Sequence, residues 1–311
     1  MKKLKFLLSL ITQDNDYQKL QAISAEQAAV RNGIDLKIVY SENDGLTQSQ
    51  QLLEAIQSSL DRPDAIIFEP PGTALAQVAQ AAAAAGIGWV VLNRDPDYIP
   101  QLRAEHKTPI FAISVDQLGN GRIQGQQFGA LLPTGGIVLY IQGPSASAAS
   151  DLRTRGMNLT KPSNVEVRML RGNWTEESAY NAVTSWLRLS TSKDLPLGIV
   201  GCQNDVMAIG ARQAFQDQAL GKERDRFLHL PFTGCDGGPE TGQEWVRKGL
   251  LAATVVMQPN AGRAIDMMVE AIRSGNQPAP CTLVPTLSYP SIEDLAARAR
   301  EAAASRRLAS K

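Results

Sequence analysis

Polar side chains with complementary hydrogen-bonding capacity recur just beyond a series of short apolar runs. Asp14, Asn15 and Tyr17 follow Leu4–Ile11, Asn93 and Arg94 follow Trp89–Leu92, and Trp174 comes after Val165–Leu170. Asn204 follows Leu197–Val200, Asp236 follows Phe227–Phe232, Gln258 follows Ala252–Met257, and Arg153 lies early in the segment after Ile137–Ile141. A hydroxyl both donates and accepts, so a polyhydroxylated ring calls for Asp or Asn oxygens beside Arg, Asn or Gln donors in fixed geometry. The apolar faces of such a ring stack on flat side chains, which Tyr17 and Trp174 supply. Taken singly, an Asn or Asp after a strand commonly caps a helix. Repetition at nearly every strand end is what points to binding of a small polar ligand, a sugar or cyclic polyol.

Catalytic patterns are missing from the sequence. The two histidines, His106 and His229, have no HExxH spacing, and neither a GxSxG elbow nor a GxxxxGK[ST] phosphate loop occurs. Gly119-Asn120-Gly121 with Gly125 misses the dinucleotide spacing and falls at a helix start, where close helix packing explains it better. No pair of carboxylates is nominated by local sequence as acid and base. The three cysteines, Cys202, Cys235 and Cys281, are odd in number and lack CxxC spacing, which predicts buried free thiols rather than a disulfide framework or zinc site. The expectation is therefore a chain with no catalytic residue, no metal and no cofactor.

The elements that must position the polar set follow an alternating rhythm. Apolar runs at 4–11, 36–40, 65–68, 89–92 and 111–115 read as strands. Helices are predicted over 17–32 with Leu20, Ile23 and Val30 on one side, over 47–60 with Leu52, Leu53, Ile56 and Leu60 facing inward, and over 73–85. The rhythm restarts after Asp116, with strands at 137–141, 165–170, 197–200, 227–232 and 252–257 and helices beginning near Leu118, Ala149, Glu176, Asp205 and Glu240. A helix over 259–274 carries Ala261, Ile265, Met268 and Ile272 at helical spacing, with Pro259 suited to its first turn. Such alternation implies α/β architecture, here two doubly wound parallel-sheet halves, whose ligands bind beyond the carboxyl ends of the strands. A last helix within 291–311 opens with Glu293 and Asp294, closes with Arg306, Arg307 and Lys311, and has Ile292, Leu295, Ala299 and Ala302 along one stripe. It reads as a surface helix packed on one half.

Composition narrows the function classes. The chain has 311 residues, close to two domains, and 31 basic residues balance 31 acidic ones. That balance offers no field for nucleic acid or an anionic membrane. Met1–Lys5 and Phe6–Ile11 imitate a secretion signal, but the apolar stretch is short and no small-x-small cleavage site follows. Reading it as the first strand predicts a cytoplasmic chain, or a periplasmic one whose signal was removed.

In combination, several stretches resemble the ribose-type periplasmic sugar-binding proteins, whose lobes are shared by the effector domains of lactose-repressor-like regulators. The stretches are Gln203-Asn204-Asp205-Val206-Met207-Ala208-Ile209-Gly210, Gly234-Cys235-Asp236-Gly237, and Gly249-Leu250-Leu251-Ala252-Ala253-Thr254 leading to Gln258-Pro259, with Val91-Leu92-Asn93-Arg94 and Arg153 before Gly156. The resemblance runs from about residue 4 to about 289. It implies two lobes joined by a three-segment hinge, one formed by 1–115 with 259–284 and the other by 116–258 with 285–311, the latter carrying the C-terminal helix 291–310. It also implies ligand contacts from Asn15, Tyr17, Arg94, Arg153, Trp174, Asn204, Asp236 and Gln258 in the inter-lobe cleft, which closes around its ligand. Two positions depart from the family. Its first loop typically reads Asn-Pro-Phe-Phe where this chain has Asn15-Asp16-Tyr17-Gln18, and Asn93 stands where ribose binders usually carry Asp.

The expected function is non-enzymatic binding of a monosaccharide or cyclic polyol as the substrate-binding component of an ABC-type uptake system, by a monomer that meets a membrane permease. The alternative is a cytoplasmic sugar sensor reporting to a kinase or regulator. A DNA-binding repressor is disfavoured, since no helix-turn-helix precedes the first strand and the chain is not basic.

Overall fold

The computed structural model describes residues 3–13, 16–72, 75–145, 147–192 and 195–309, with the side chains of residues 191 and 302–309 not described. Its contacts divide the chain into two compact units. The first comprises residues 1–115 and 258–284, the second residues 116–257 and 285–311, so the chain passes from one to the other three times and Gln258 belongs to the first.

From the start, the chain runs β1 (Lys5–Leu10), α1 (Asp16–Asn32), β2 (Asp35–Tyr40), α2 (Gly45–Gln57), β3 (Ala65–Phe68), α3 (Ala76–Ala84), β4 (Gly88–Leu92), α4 (Ile99–Glu105) and β5 (Ile110–Val115). It continues with α5 (Gln117–Leu131), β6 (Gly136–Gln142), α6 (Ala148–Thr160), β7 (Val165–Arg171), α7 (Glu176–Leu187), β8 (Leu197–Cys202), α8 (Asp205–Gln218), α9 (Gly221–Leu228), β9 (Phe232–Thr233), α10 (Gly242–Arg247) and β10 (Thr254–Val256). α11 (Ala261–Ser274) and β11 (Cys281–Val284) return to the first unit, and β12 (Leu287–Tyr289) and α12 (Ile292–Ala309) close the second.

The first unit holds a six-stranded parallel sheet in the order β11-β5-β4-β3-β1-β2. β3, β4 and β5 are buried along their whole length, as strands covered on both faces must be. One face packs on α1 and α11, through Ala25, Ala28, Ala264, Ile265 and Met268. The other packs on α2, α3 and α4 through Leu52, Val78, Ala82 and Ile99. The second unit has a four-stranded parallel sheet in the order β7-β6-β8-β9, and an antiparallel pair, β10 with β12. The Trp186, Phe215, Phe227 and Phe232 rings fill one side of its core.

Several expectations need correction. On α1 the buried residues are Gln18, Gln21, Ala22, Ala25, Ala28 and Ala29, whereas Val30 is 83% exposed and Ile23 is also exposed. α1 lies close enough to α11 that small residues and two amides suit the interface better than branched chains. Leu60 is 94% exposed, because α2 ends at Gln57. Phe227 belongs to α9 and not to a strand. Pro231 separates it from β9, which spans only Phe232–Thr233. α4 was not predicted, α3 begins only at Ala76, and α10 begins at Gly242. Pro259 lies ahead of the N-terminal residue Asn260 rather than within the first turn of α11. The tail helix does pack on its own unit, against α5, with Leu295 buried. No described helix is long and apolar enough to cross a membrane.

Candidate functional site

In the second unit the structure brings together Arg153, Trp174 and Asp236. Arg153 stands on α6, whose first turn is capped by Ser147 accepting from the Ser150 amide. Only 5% of it is exposed, a cost tolerated only when the charge is hydrogen-bonded. Its Nε donates to Gln117 Oε1 at 2.8 Å, one terminal nitrogen donates to the Gln203 carbonyl, and the other meets Met257 Sδ at 3.2 Å. The guanidinium carbon sits 5.2 Å from the centre of the Trp174 ring, a cation–π distance. Arg153 also approaches Asp236 Oδ1 at 3.9 Å, within reach of its charge but beyond a direct hydrogen bond.

Close backbone packing fixes the other two members. A Cβ at Gly143, after β6, would overlap the six-membered ring of Trp174, so this glycine is what lets the indole lie where it does. Asp236 follows β9, bridges in parallel to Val256, and has 32% of its side chain exposed. Beneath it, the buried Asp205 accepts from the Gly237 amide at 2.7 Å and from Thr254 Oγ1 at 2.6 Å, tying down the loop that presents Asp236. Burial, and then the nearby Asp236 charge, push the Asp205 carboxyl well above the ordinary carboxylate range. Trp174 and Asp236 both have positive φ, +65° and +109°, a conformation that costs a non-glycine residue energy and tends to cluster at functional sites.

Asn204 plays a second role here. Its Oδ1 caps α8 by accepting from the Met207 amide at 3.0 Å, and its Nδ2 donates to the Trp174 carbonyl at 2.9 Å. It thereby connects the helix end to the aromatic.

In the first unit, Tyr17 and Asn93 belong to a largely buried polar network. Asn93, also at positive φ (+58°), donates to Glu69 Oε1 at 2.8 Å and to Tyr17 Oη at 3.3 Å, while its Oδ1 accepts from Asn260 Nδ2 at 2.8 Å. Gln18 donates to the other Glu69 oxygen at 2.8 Å. Gln21 accepts from the Asn260 and Ala261 amides, so a side chain of α1 caps α11. Arg94 and Gln258 are both exposed, and neither hydrogen-bonds into this network among the described residues. Asn15 lies outside the described residues.

The supporting residues Glu69, Gln18, Gln21, Asn260, Gln117, Gln203 and Asp205 are not among the ligand contacts expected from sequence, although Gln18 stands out there as a departure from the family and Gln203 and Asp205 lie in a stretch that resembles it. Glu69 immediately follows β3, so the strand-end argument applied at that strand would have found it. The others act through burial and partners that spacing does not disclose. His106 and His229 make only peripheral contacts, and Cys202 and Cys235 are buried free thiols. Burial pushes the Cys235 thiol up to about 12, far from a reactive thiolate. Among the described residues no group of His, Cys, Asp and Glu side chains is arranged to hold a metal ion.

The fold is that of a two-unit α/β protein with polar groups collected beyond the strand ends of each unit. Residues 6–277 match the family model described as a periplasmic binding protein domain, and the chain belongs to that family. Among solved structures it is similar to an ABC transporter periplasmic solute binding protein from Actinobacillus succinogenes with bound D-allose, at 22% identity and a TM-score of 0.77, covering 92% of this chain and 97% of that one. It is also similar to the periplasmic component of the arabinose ABC transporter from Shewanella, bound to L-arabinofuranose (22%, TM-score 0.76, covering 97% of each chain). A third is a Bacillus halodurans ABC transporter solute binding protein with bound myo-inositol (19%, TM-score 0.75, 95% and 98% covered). At these identities the likeness establishes the shared fold.

Proposed function

We propose that this chain is a non-enzymatic binding protein for a neutral monosaccharide or cyclic polyol, serving as the solute-binding component of an ABC-type uptake system. The observation that carries the reading is the grouping of a buried, hydrogen-bonded guanidinium with an indole face and a partly exposed carboxylate in the second unit. That grouping offers donors, an acceptor and a stacking surface together, which is what a ring of hydroxyls requires. The sugars and polyol bound by the similar solute-binding proteins support the ligand class, and their membership of ABC transporters supports a permease partner and a periplasmic setting. We take the protein to act as a monomer.

Titration calorimetry with D-allose, L-arabinose and myo-inositol tests this. One of them should bind saturably at one site, with the ligand recovered unchanged after long incubation. Asp236→Asn should weaken that binding by about 1.5–3 kcal/mol, the worth of a hydrogen bond to a charged group. Trp174→Ala should weaken it about tenfold or more through lost stacking. Recovery of a chemically altered sugar would overturn the non-enzymatic reading. Full affinity in both variants would place the site elsewhere.

A further inference from the structure

Glu69 is the group in the first unit that the proposed binding role has not absorbed. It is 8% exposed, at the carboxyl end of β3, and each carboxylate oxygen accepts one amide hydrogen, from Asn93 on one side and Gln18 on the other, both at 2.8 Å. Gln48 donates to its backbone carbonyl and to Ser9 Oγ, both at 3.0 Å, which anchors the residue from α2 and β1. The consequence falls on Asn93. With its Nδ2 turned to Glu69, its Oδ1 is the end that meets Asn260 Nδ2, and both ends touch the Tyr17 hydroxyl, at 3.3 and 3.5 Å. An amide has a donor end and an acceptor end, so one partner that only accepts decides the orientation of the whole group.

We propose that Glu69 is a positioning residue for ligand binding: its carboxylate sets the orientation of the Asn93 and Gln18 amides and, through Asn93, the hydrogen-bonding direction of the Tyr17 hydroxyl. This rests on the reading of the chain as a sugar-binding protein. Burial raises the Glu69 carboxyl above its ordinary value, opposed by the amide hydrogen bonds and by the Arg94 charge. Tyr17 is the other ionisable group in the network, connected through Asn93 and Gln21. A protonated Glu69 would place a hydrogen against one of the two amide donors, so the arrangement requires the ionised form.

The test exchanges acid and amide across the 2.8 Å contact. In Glu69→Gln the new amide group faces Gln18 or Asn93 donor to donor, so one of them must turn. In the double variant Glu69→Gln/Asn93→Asp, the new amide at 69 donates to the new carboxylate at 93. That carboxylate still accepts from Asn260, and the carbonyl at 69 still accepts from Gln18. With D-allose and myo-inositol as calorimetric probes, Glu69→Gln should bind about tenfold more weakly or worse, the loss of one well-made hydrogen bond, and the double variant should recover most of that loss. The melting temperature of Glu69→Gln at pH 7 should be unchanged or higher, because a buried charge is removed. A purely structural role would lower stability and affinity together. Unchanged affinity in Glu69→Gln, or no recovery in the exchanged pair, overturns the proposal. If the wild-type protein binds neither probe, the sugar reading is what fails. The positioning claim is then decided by side-chain amide NMR, where Glu69→Gln should remove the exchange protection of the Gln18 or the Asn93 side-chain amide, and the exchanged pair should keep Gln18 protected; unaltered protection of both amides in Glu69→Gln overturns it.

Discussion

Arg153 shows how one residue is committed by its surroundings. Its planar fork reaches the Gln117 side chain, the Gln203 carbonyl, the Trp174 ring and the Asp236 carboxylate at once, a spread that a lysine ammonium on its flexible stem does not reproduce. Arg153→Lys keeps the charge but orphans at least one buried acceptor, at about 1–3 kcal/mol each. Chemical denaturation should register that loss of stability together with weaker sugar binding, and a variant as stable as wild type would show the fork to be dispensable. At this scale the sequence was partly legible. The strand-end rule picked Arg153, Trp174 and Asp236, which the structure brings together, because their types and positions are both visible in the chain. It also picked Asn204, whose capping role agrees with the ordinary behaviour of an asparagine before a helix. It did not disclose why Gln18 and Asn93 are amides. The reason is a carboxylate 51 residues from one and 24 from the other, and a partnership of that kind leaves no local pattern.

Among the elements, the pairing of α5 with α6 determines where Arg153 stands. Cβ atoms at Gly121 and Gly156 would overlap the backbone carbonyls of Arg153 and Leu118, and one at Gly125 would lie 2.5 Å from the Met157 carbonyl. Of the glycines that missed a dinucleotide pattern, Gly121 and Gly125 thus serve helix packing, while Gly119 lies against the capping Asp116. Backbone cannot give way as a flexible side chain can. Gly121→Ala should therefore push the helices apart, cost about 1–3 kcal/mol as overpacking does, and displace Arg153 enough to weaken binding. Thermal melts and calorimetry on this variant, with Gly129→Ala, where the nearest atom is the Pro162 ring at 3.0 Å, as the milder control, decide it. Equal behaviour of the two would remove the packing argument. Strands were the most legible elements, since β3, β4 and β5 are continuous apolar runs with few alternatives. α1 was placed correctly but its buried face was misjudged, because hydrophobic periodicity weighs Ile23 and Val30 above the alanines that fit against α11. α9 was lost because it carries five charged residues and buries one phenylalanine, a pattern with no stripe to read.

For the whole molecule, the two units each carry a buried carboxyl raised by burial, Glu69 in one and Asp205 in the other. The unfolded chain returns both to their ordinary values near 4.5 and 3.8. A raised folded-state value means that the native state binds more protons than the unfolded one between the two values, so stability falls as pH rises through that window. The exposed Asp61 and the half-buried Glu244 act in the opposite sense. Lys5 and Arg247 lower their carboxyls, and their contribution disappears only as pH falls below the ordinary carboxylate range. With acidic and basic residues equal in number, long-range repulsion changes little near neutrality, which leaves the buried pair to shape the curve. The melting temperature should therefore climb as pH is lowered toward the ordinary carboxylate range, and turn down again only in more acid solution. Glu69→Gln should flatten part of that slope and Asp205→Asn the rest, Asp205→Asn at the expense of the Gly237 contact that holds the Asp236 loop. A wild-type melting temperature that does not rise as pH is lowered toward the ordinary carboxylate range would mean that burial does not raise these carboxyls. Because Glu69 positions Asn93 only when ionised, sugar affinity should fall over the same interval in which the fold gains stability, so the two curves should cross in opposite directions.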